Sequence, residues 1–246
     1  MLLANPIPSA FLHQFRGFLA YQREDYLVAE HELQNARVDQ SLQSGLGDIM
    51  IYLGLLGPVQ ATMGKEEAHT YIARVEEHLA VLPAGILPTA PPMICLALTA
   101  MILGDHECAR CLYPHLFAFQ GQHYWFLVDR VLGMIALHDG QWEAAARHLA
   151  AAEATALREE LRPELARILI AQARLEVARR GQGSTTRAGK LFRQALALFE
   201  ELDMSTSACH VRYQLRTLAH QSRDPLSSPL PANLTQREAA VLKLVA

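Results

Sequence analysis

Residues 131–152 read VLGMIALHDGQWEAAARHLAAA, and the placing of small residues in that stretch leaves few folds open. Leu132-Gly133 falls on one helix, Asp139-Gly140 supplies a turn, and Trp142 opens a second helix carrying Ala145, Leu149 and Ala152. Small residues at Gly133 and Ala145 let two antiparallel helices approach closely. Leu132, Trp142 and Leu149 fill the space on either side. One hairpin of this kind cannot bury its apolar face alone, whereas stacked copies can.

Copies are present. Residues 16–36 place Gly17, Ala20, Tyr26, Ala29, Leu33 and Ala36 at matching offsets, and residues 96–116 place Leu96, Ala97, Ala100, Gly104, Ala109, Tyr113 and Leu116. A later second helix carries Ala188, Phe192 and Ala195, and a weaker copy carries Ala68, Ile72 and Val75. The pattern resembles the tetratricopeptide (TPR) arrangement, in which Leu-Gly on helix A and Ala-x3-large on helix B meet across a short turn. The helix-B alanines stand at 29, 68, 109, 145 and 188, wider than the roughly 34-residue period of a strict TPR. The chain is therefore expected to be all-α over residues 1–222. A TPR-like helical-hairpin solenoid of about five hairpins is expected, closed by a final helix near Ser205–Gln221.

Composition agrees with helix on helix. Hydrophobic residues make up 51% and charged residues 19%. The apolar share is largely Ala and Leu, strong helix formers, and few segments alternate in the manner of strands. Residues 1–146 hold 7 Lys/Arg against 15 Asp/Glu, and residues 147–246 hold 15 against 10. A basic C-terminal half suits a neighbour that approaches nucleic acid, or is simply a solvated arginine-rich face. Four cysteines without disulfide-dense spacing fit a reducing compartment. The N-terminus has no basic region followed by an apolar run, and the most apolar stretches, 49–56 and 93–103, are short for a bilayer and carry Gly or Pro at or near their edges. A cytoplasmic protein without membrane contact is expected.

Near the C-terminus the composition changes. Residues 223–233, rich in proline and serine, read as a linker. Residues 234–246, LTQREAAVLKLVA, begin a helix: Thr235 and Glu238 form a capping box, and Val241, Leu242 and Val245 give it an apolar face. This stretch resembles the first helix of a LuxR-type helix-turn-helix domain, which Leu234, Thr235, Arg237, Glu238, Val241 and Leu242 match. A helical array followed by such a domain resembles the MalT-like transcriptional activators. The resemblance implies an array that senses a small-molecule inducer or a partner protein, an upstream nucleotide-binding domain, and DNA contact through the downstream domain. The scanning and recognition helices are not among these 246 residues, so this chain is expected to reach DNA only through a domain it lacks.

The TPR resemblance further implies that helix A lines a concave groove. Gln14, Phe18 and Tyr21 from the first hairpin and Arg130, Met134 and His138 from the fourth are the candidate ligand-binding residues. Arg130 stands out, because a cation among apolar groups needs an anionic or polar partner. That partner is either a ligand or a carboxylate such as Asp129 or one from a neighbouring hairpin.

Other constellations carry less. Gly183 to Lys190 resembles a phosphate loop but has the wrong glycine spacing, Leu191 where Ser or Thr belongs, and no preceding strand. Cys108, Cys111 and His115 share a helical face and are metal candidates, with His106 nearby, or packing residues. The aromatic cluster from Phe117 to Phe126 either lines a pocket or packs between hairpins. No nucleophile or metalloprotease motif is present, so no enzyme and no cofactor is expected. The alternative to a regulator segment is a free-standing TPR adaptor for protein–protein interaction.

Overall fold

The computed structural model describes residues 9–41, 55–80 and 90–222. Among them are eleven helices and no strand: α1 (Ser9–Gln22), α2 (Tyr26–Ser41), α3 (55–62), α4 (Glu67–Ala80), α5 (Ala90–Leu103), α6 (His106–Phe117), α7 (Val128–His138), α8 (Trp142–Arg158), α9 (Arg162–Arg179), α10 (Ser184–Glu201) and α11 (Ser205–Ser222). The linker at 223–233 and the stretch with Leu234, Thr235, Arg237, Glu238, Val241 and Leu242 lie outside the described residues. None of the described helices is long and apolar enough to cross a membrane.

Six connections use one turn. A residue with positive φ ends the helix: Glu24, Gly64, Gly104, Gly140, Glu160 and Asp203. The next N–H donates to the carbonyl five residues back: Asp25 to Ala20 (2.9 Å), Lys65 to Gln60 (3.0 Å), Asp105 to Ala100, Gln141 to Ala136 and Leu161 to Ala156 (each 2.8 Å), and Met204 to Phe199 (2.9 Å). This closure satisfies carbonyls that a helix end would otherwise leave free. The next helix starts directly after the donor residue, or one residue later after Lys65, and Asp25 and Asp105 also accept from the N–H three residues on, at Val28 and Cys108.

The shared turn sets the packing register. Gly17, Gly57, Ala97 and Gly133 each stand eight residues before the donor residue of their turn. A methyl group placed on Gly17 would lie 2.6 Å from Leu33 Cγ, and one on Gly133 would lie 2.8 Å from Leu149 Cδ2. Gly57 meets the Tyr71 ring in the same way, a helix-A small residue that the sequence pattern did not reveal. All five helix-B alanines, Ala29, Ala68, Ala109, Ala145 and Ala188, are at most 2% exposed.

Neighbours in sequence are neighbours in space. α1 packs on α2, α5 on α6, α7 on α8 and α9 on α10, while α4, α6, α8 and α10 each also touch the helix that follows. In addition α7 touches both α5 and α9. Helix α5, apolar on every side, is buried from Ala90 to Ala100; all-round hydrophobicity demands a position in the core.

The two ends of the described array also meet. Phe15 and Phe18 of α1 lie with ring centroids 5.1 and 4.7 Å from Trp125, before α7. Gln22 accepts from Arg167 of α9 at 2.5 Å, and Glu24 accepts from the N–H groups of Thr206 (2.7 Å) and Ser207 (2.9 Å) at the start of α11.

Candidate functional site

The six groove candidates fall into two places. Phe18, Tyr21, Arg130 and Met134 gather where α1 meets α7 and the Trp125-Phe126 segment: the Phe18 and Tyr21 ring centroids lie 5.9 and 5.8 Å from that of Phe126, and the Arg130 guanidinium carbon lies 5.7 Å from the same centroid. Gln14 and Arg130 are buried, at 0% and 4% exposure, so they do not line an open groove as expected. α1 packs over the Trp125-Phe126 segment beside them. His138, by contrast, is exposed at the end of α7.

Arg130 has a carboxylate. Its Nε donates to Glu164 Oε2 at 2.8 Å, and its Nη1 lies 3.1 Å from Met134 Sδ. Glu164 also accepts from Arg167 at 3.1 Å and from the Leu127 N–H at 3.4 Å. Arg167 lies over the Tyr21 ring at 5.9 Å. Burial pushes the Glu164 carboxyl up, but the two guanidinium groups and the hydrogen bonds to Arg130 and Leu127 outweigh it and hold it below the usual glutamate range. Of the two partners the sequence left open for Arg130, the structure places the carboxylate from the next hairpin on it, and Asp129 turns elsewhere.

Asp129 belongs to a second buried chain. Its Oδ2 accepts from the Gly121 N–H at 2.7 Å, and its Oδ1 lies 3.2 Å from His148 Nδ1. His148 Nε2 lies 2.9 Å from the Tyr113 hydroxyl. With Asp129 on Nδ1–H, Nε2 is left to accept from the tyrosine. Burial raises the Tyr113 phenol, the wrong direction for an activated nucleophile. The chain joins α6 and its following loop to α7 and α8, and its chemistry is that of a polar clamp.

The remaining sequence candidates are placed as follows. Cys108 is half-buried and Cys111 and His115 are exposed on α6; no described group of three His, Cys, Asp or Glu side chains is gathered as a metal site. Gly183 adopts a left-handed conformation directly before α10, which begins at Ser184. The aromatic cluster is used in packing: Phe119 and Phe126 are buried, and Trp125 receives α1.

One cluster was missed by the sequence reading. The His106 and His138 rings stack with centroids 4.3 Å apart, and Arg174 of α9 donates to His210 Nε2 of α11 at 3.2 Å. Burial, then His106 and Arg174, hold the His138 imidazole below the usual histidine value against the opposing pull of Asp139; burial and Arg174 do the same to His210. Arg174 has no carboxylate partner among the described residues, and the density of protein around it lowers its own pKa although one side faces solvent. Beside it α9, α10 and α11 form a half-open cavity of about 140 Å³ lined by Arg174, Val177, Phe192, Gln214, Thr217 and Leu218. The available signal was register: Arg174 follows buried Ala173 as Phe18 follows Gly17 and Met134 follows Gly133.

Compared with models of known protein families and with characterised proteins, the chain matches none.

Proposed function

We propose that the chain is the ligand- or partner-sensing helical-repeat segment of a cytoplasmic LuxR-type, MalT-like transcriptional regulator, with no catalytic role and no cofactor of its own. The observation that carries the reading is the repeated close approach of Gly17 to Leu33 and Gly133 to Leu149 at identical sequence spacing. It supports a TPR-like array ahead of the LuxR-like sequence at residues 234–246. In such an array the exposed histidines and arginine at the α7, α9 and α11 end are the part of the inner wall left open to a ligand.

The adaptor reading draws on a different feature. Phe11, Leu12, Phe15, Leu19, Leu27 and Val28 of the first hairpin are each at least 42% exposed, the kind of surface that docks another protein. The test is immunoprecipitation of the native protein from its host cells with antibodies against the array, followed by sequencing of the recovered DNA. Enrichment of a small set of discrete sites is expected. A uniform background, with proteins recovered instead, would establish the adaptor.

A further inference from the structure

We propose that the cavity between α9, α10 and α11 is a binding site for a small organic carboxylate, with its charge at Arg174 and its apolar body against Val177, Phe192 and Leu218. The inference deepens the sensing reading by naming a ligand class, and rests on it for its purpose alone.

The electrostatics are lopsided. Several arginines that brace neighbouring helices here have acids: Arg130 and Arg167 share Glu164, Arg187 pairs with Glu176, Arg162 with Glu201 and Arg212 with Glu200, while Arg179 donates to the Trp142 carbonyl. Arg174 donates instead to an imidazole nitrogen, a neutral acceptor. Arg174 keeps a solvent-facing side, where an anion can add a charge-assisted hydrogen bond. His138 and His210 lie beside it; burial first, then His106 for His138, and Arg174 for both keep them from charging. An anion beside Arg174 offsets the guanidinium's share of that effect, so the group is complementary to one negative charge.

The walls narrow the ligand further. Arg174, Gln214 and Thr217 are polar, whereas Val177, Phe192 and Leu218 form an apolar side. Inorganic ions make no use of that side. A cavity of about 150 Å³ accommodates a benzene ring, so the observed volume of about 140 Å³ suits one ring or a short branched chain bearing a carboxylate. Gln214, whose amide lies 3.4 Å from His210 Nε2, has a second donor to offer the carboxylate.

The test is a titration of the 246-residue chain at pH 7 with benzoate, benzamide and inorganic phosphate, followed by the imidazole proton resonances of His138 and His210. Benzoate is expected to saturate and to move both, with benzamide weaker by at least about tenfold, as loss of a charge-assisted hydrogen bond implies. Arg174→Gln is expected to weaken benzoate by a similar factor with an unchanged far-UV spectrum, and Arg212→Gln to leave it intact. Equal binding of benzoate and benzamide, binding of phosphate but not benzoate, or no saturation at millimolar concentration would overturn the site. The comparison of the three probes on the parent chain needs no variant to fold. Failure here leaves the recovery of discrete DNA sites untouched, and failure of that recovery leaves this titration standing.

Discussion

The Glu24 carboxylate accepts the backbone N–H of Thr206 at 2.7 Å, so the turn between α1 and α2 caps α11. An acid at a helix N-terminus meets both free N–H groups and the positive end of the helix dipole. Glu24 pays for this position with a left-handed backbone, φ 65°. Glu24→Gly relieves the backbone but removes the cap. Faster hydrogen exchange in the first turn of α11 is expected, with little change at α7. Glu24→Ala, which keeps the strain and loses the cap, is expected to lower stability by about 1–2 kcal/mol in urea denaturation. Unchanged exchange at Thr206 and Ser207 in both variants would disprove the cap.

Gly133 is packed too tightly for any side chain. A methyl group there lies 2.8 Å from two Leu149 side-chain carbons and 3.3 Å from its backbone nitrogen. Gly133→Ala is expected to destabilise by about 1–3 kcal/mol through overpacking, despite the better helix propensity of alanine. Gly133→Ala combined with Leu149→Ala should recover part of the urea midpoint lost by Leu149→Ala alone.

Glu164 serves two arginines and is 4% exposed. Its removal strands charge in the interior, and Glu164→Gln is expected to lose about 3–5 kcal/mol. Arg130→Met with Glu164→Leu should lose less than the two single changes together, since the pair then leaves as a unit. Additive losses in a double-mutant cycle would show that the two side chains do not interact.

Acid should weaken the fold in two stages. His138 and His210 are held below the ordinary histidine value of 6.5, so the unfolded chain takes up their protons first. Stability is full above that value and begins to fall as pH drops through it. Glu164 is held below 4.5, so its contribution persists to lower pH and is lost as its folded carboxyl protonates. Thermal midpoints between about pH 8 and 2 should show the earlier decline shrink in a His138→Gln, His210→Gln double variant while the later one stays.

Two turns invite opposite substitutions. Gly140 and Glu160 occupy the same left-handed position, with φ 70° and 53°. Gly140→Ala is expected to destabilise by about 1 kcal/mol and Glu160→Gly to stabilise by up to about 1 kcal/mol. A Glu160→Gly variant that melts earlier than the parent would mean the glutamate side chain contributes more than its backbone costs.

The helices were legible because their small residues recur at fixed distances from the turns. Gly17, Ala29 and Leu33 repeat as Gly133, Ala145 and Leu149 without a single shift. The turns at Glu160 and Asp203 were harder to see, since no glycine marks them and backbone hydrogen bonds alone hold them. Arg130 reads in the sequence as a cation needing a partner, a ligand or a carboxylate, but Glu164 is 34 residues away and the sequence offered several acids at comparable range. Seating of α1 against Trp125 joins residues more than a hundred positions apart. Local spacing carries no record of such a contact, so the burial of Gln14 and Arg130 was not legible in the sequence.

The meeting of α1 with α9 and α11 sets an order of events during synthesis. The first hairpin leaves the ribosome long before residues 167 and 206 exist, and its Phe15, Phe18 and Tyr21 faces then have nothing to rest on. Local hairpins form early, while contacts of high sequence separation wait for chain length and slow the final step. A nascent chain halted before Trp125 therefore displays an aromatic helix that the finished protein hides in part, a natural handle for chaperones during that interval.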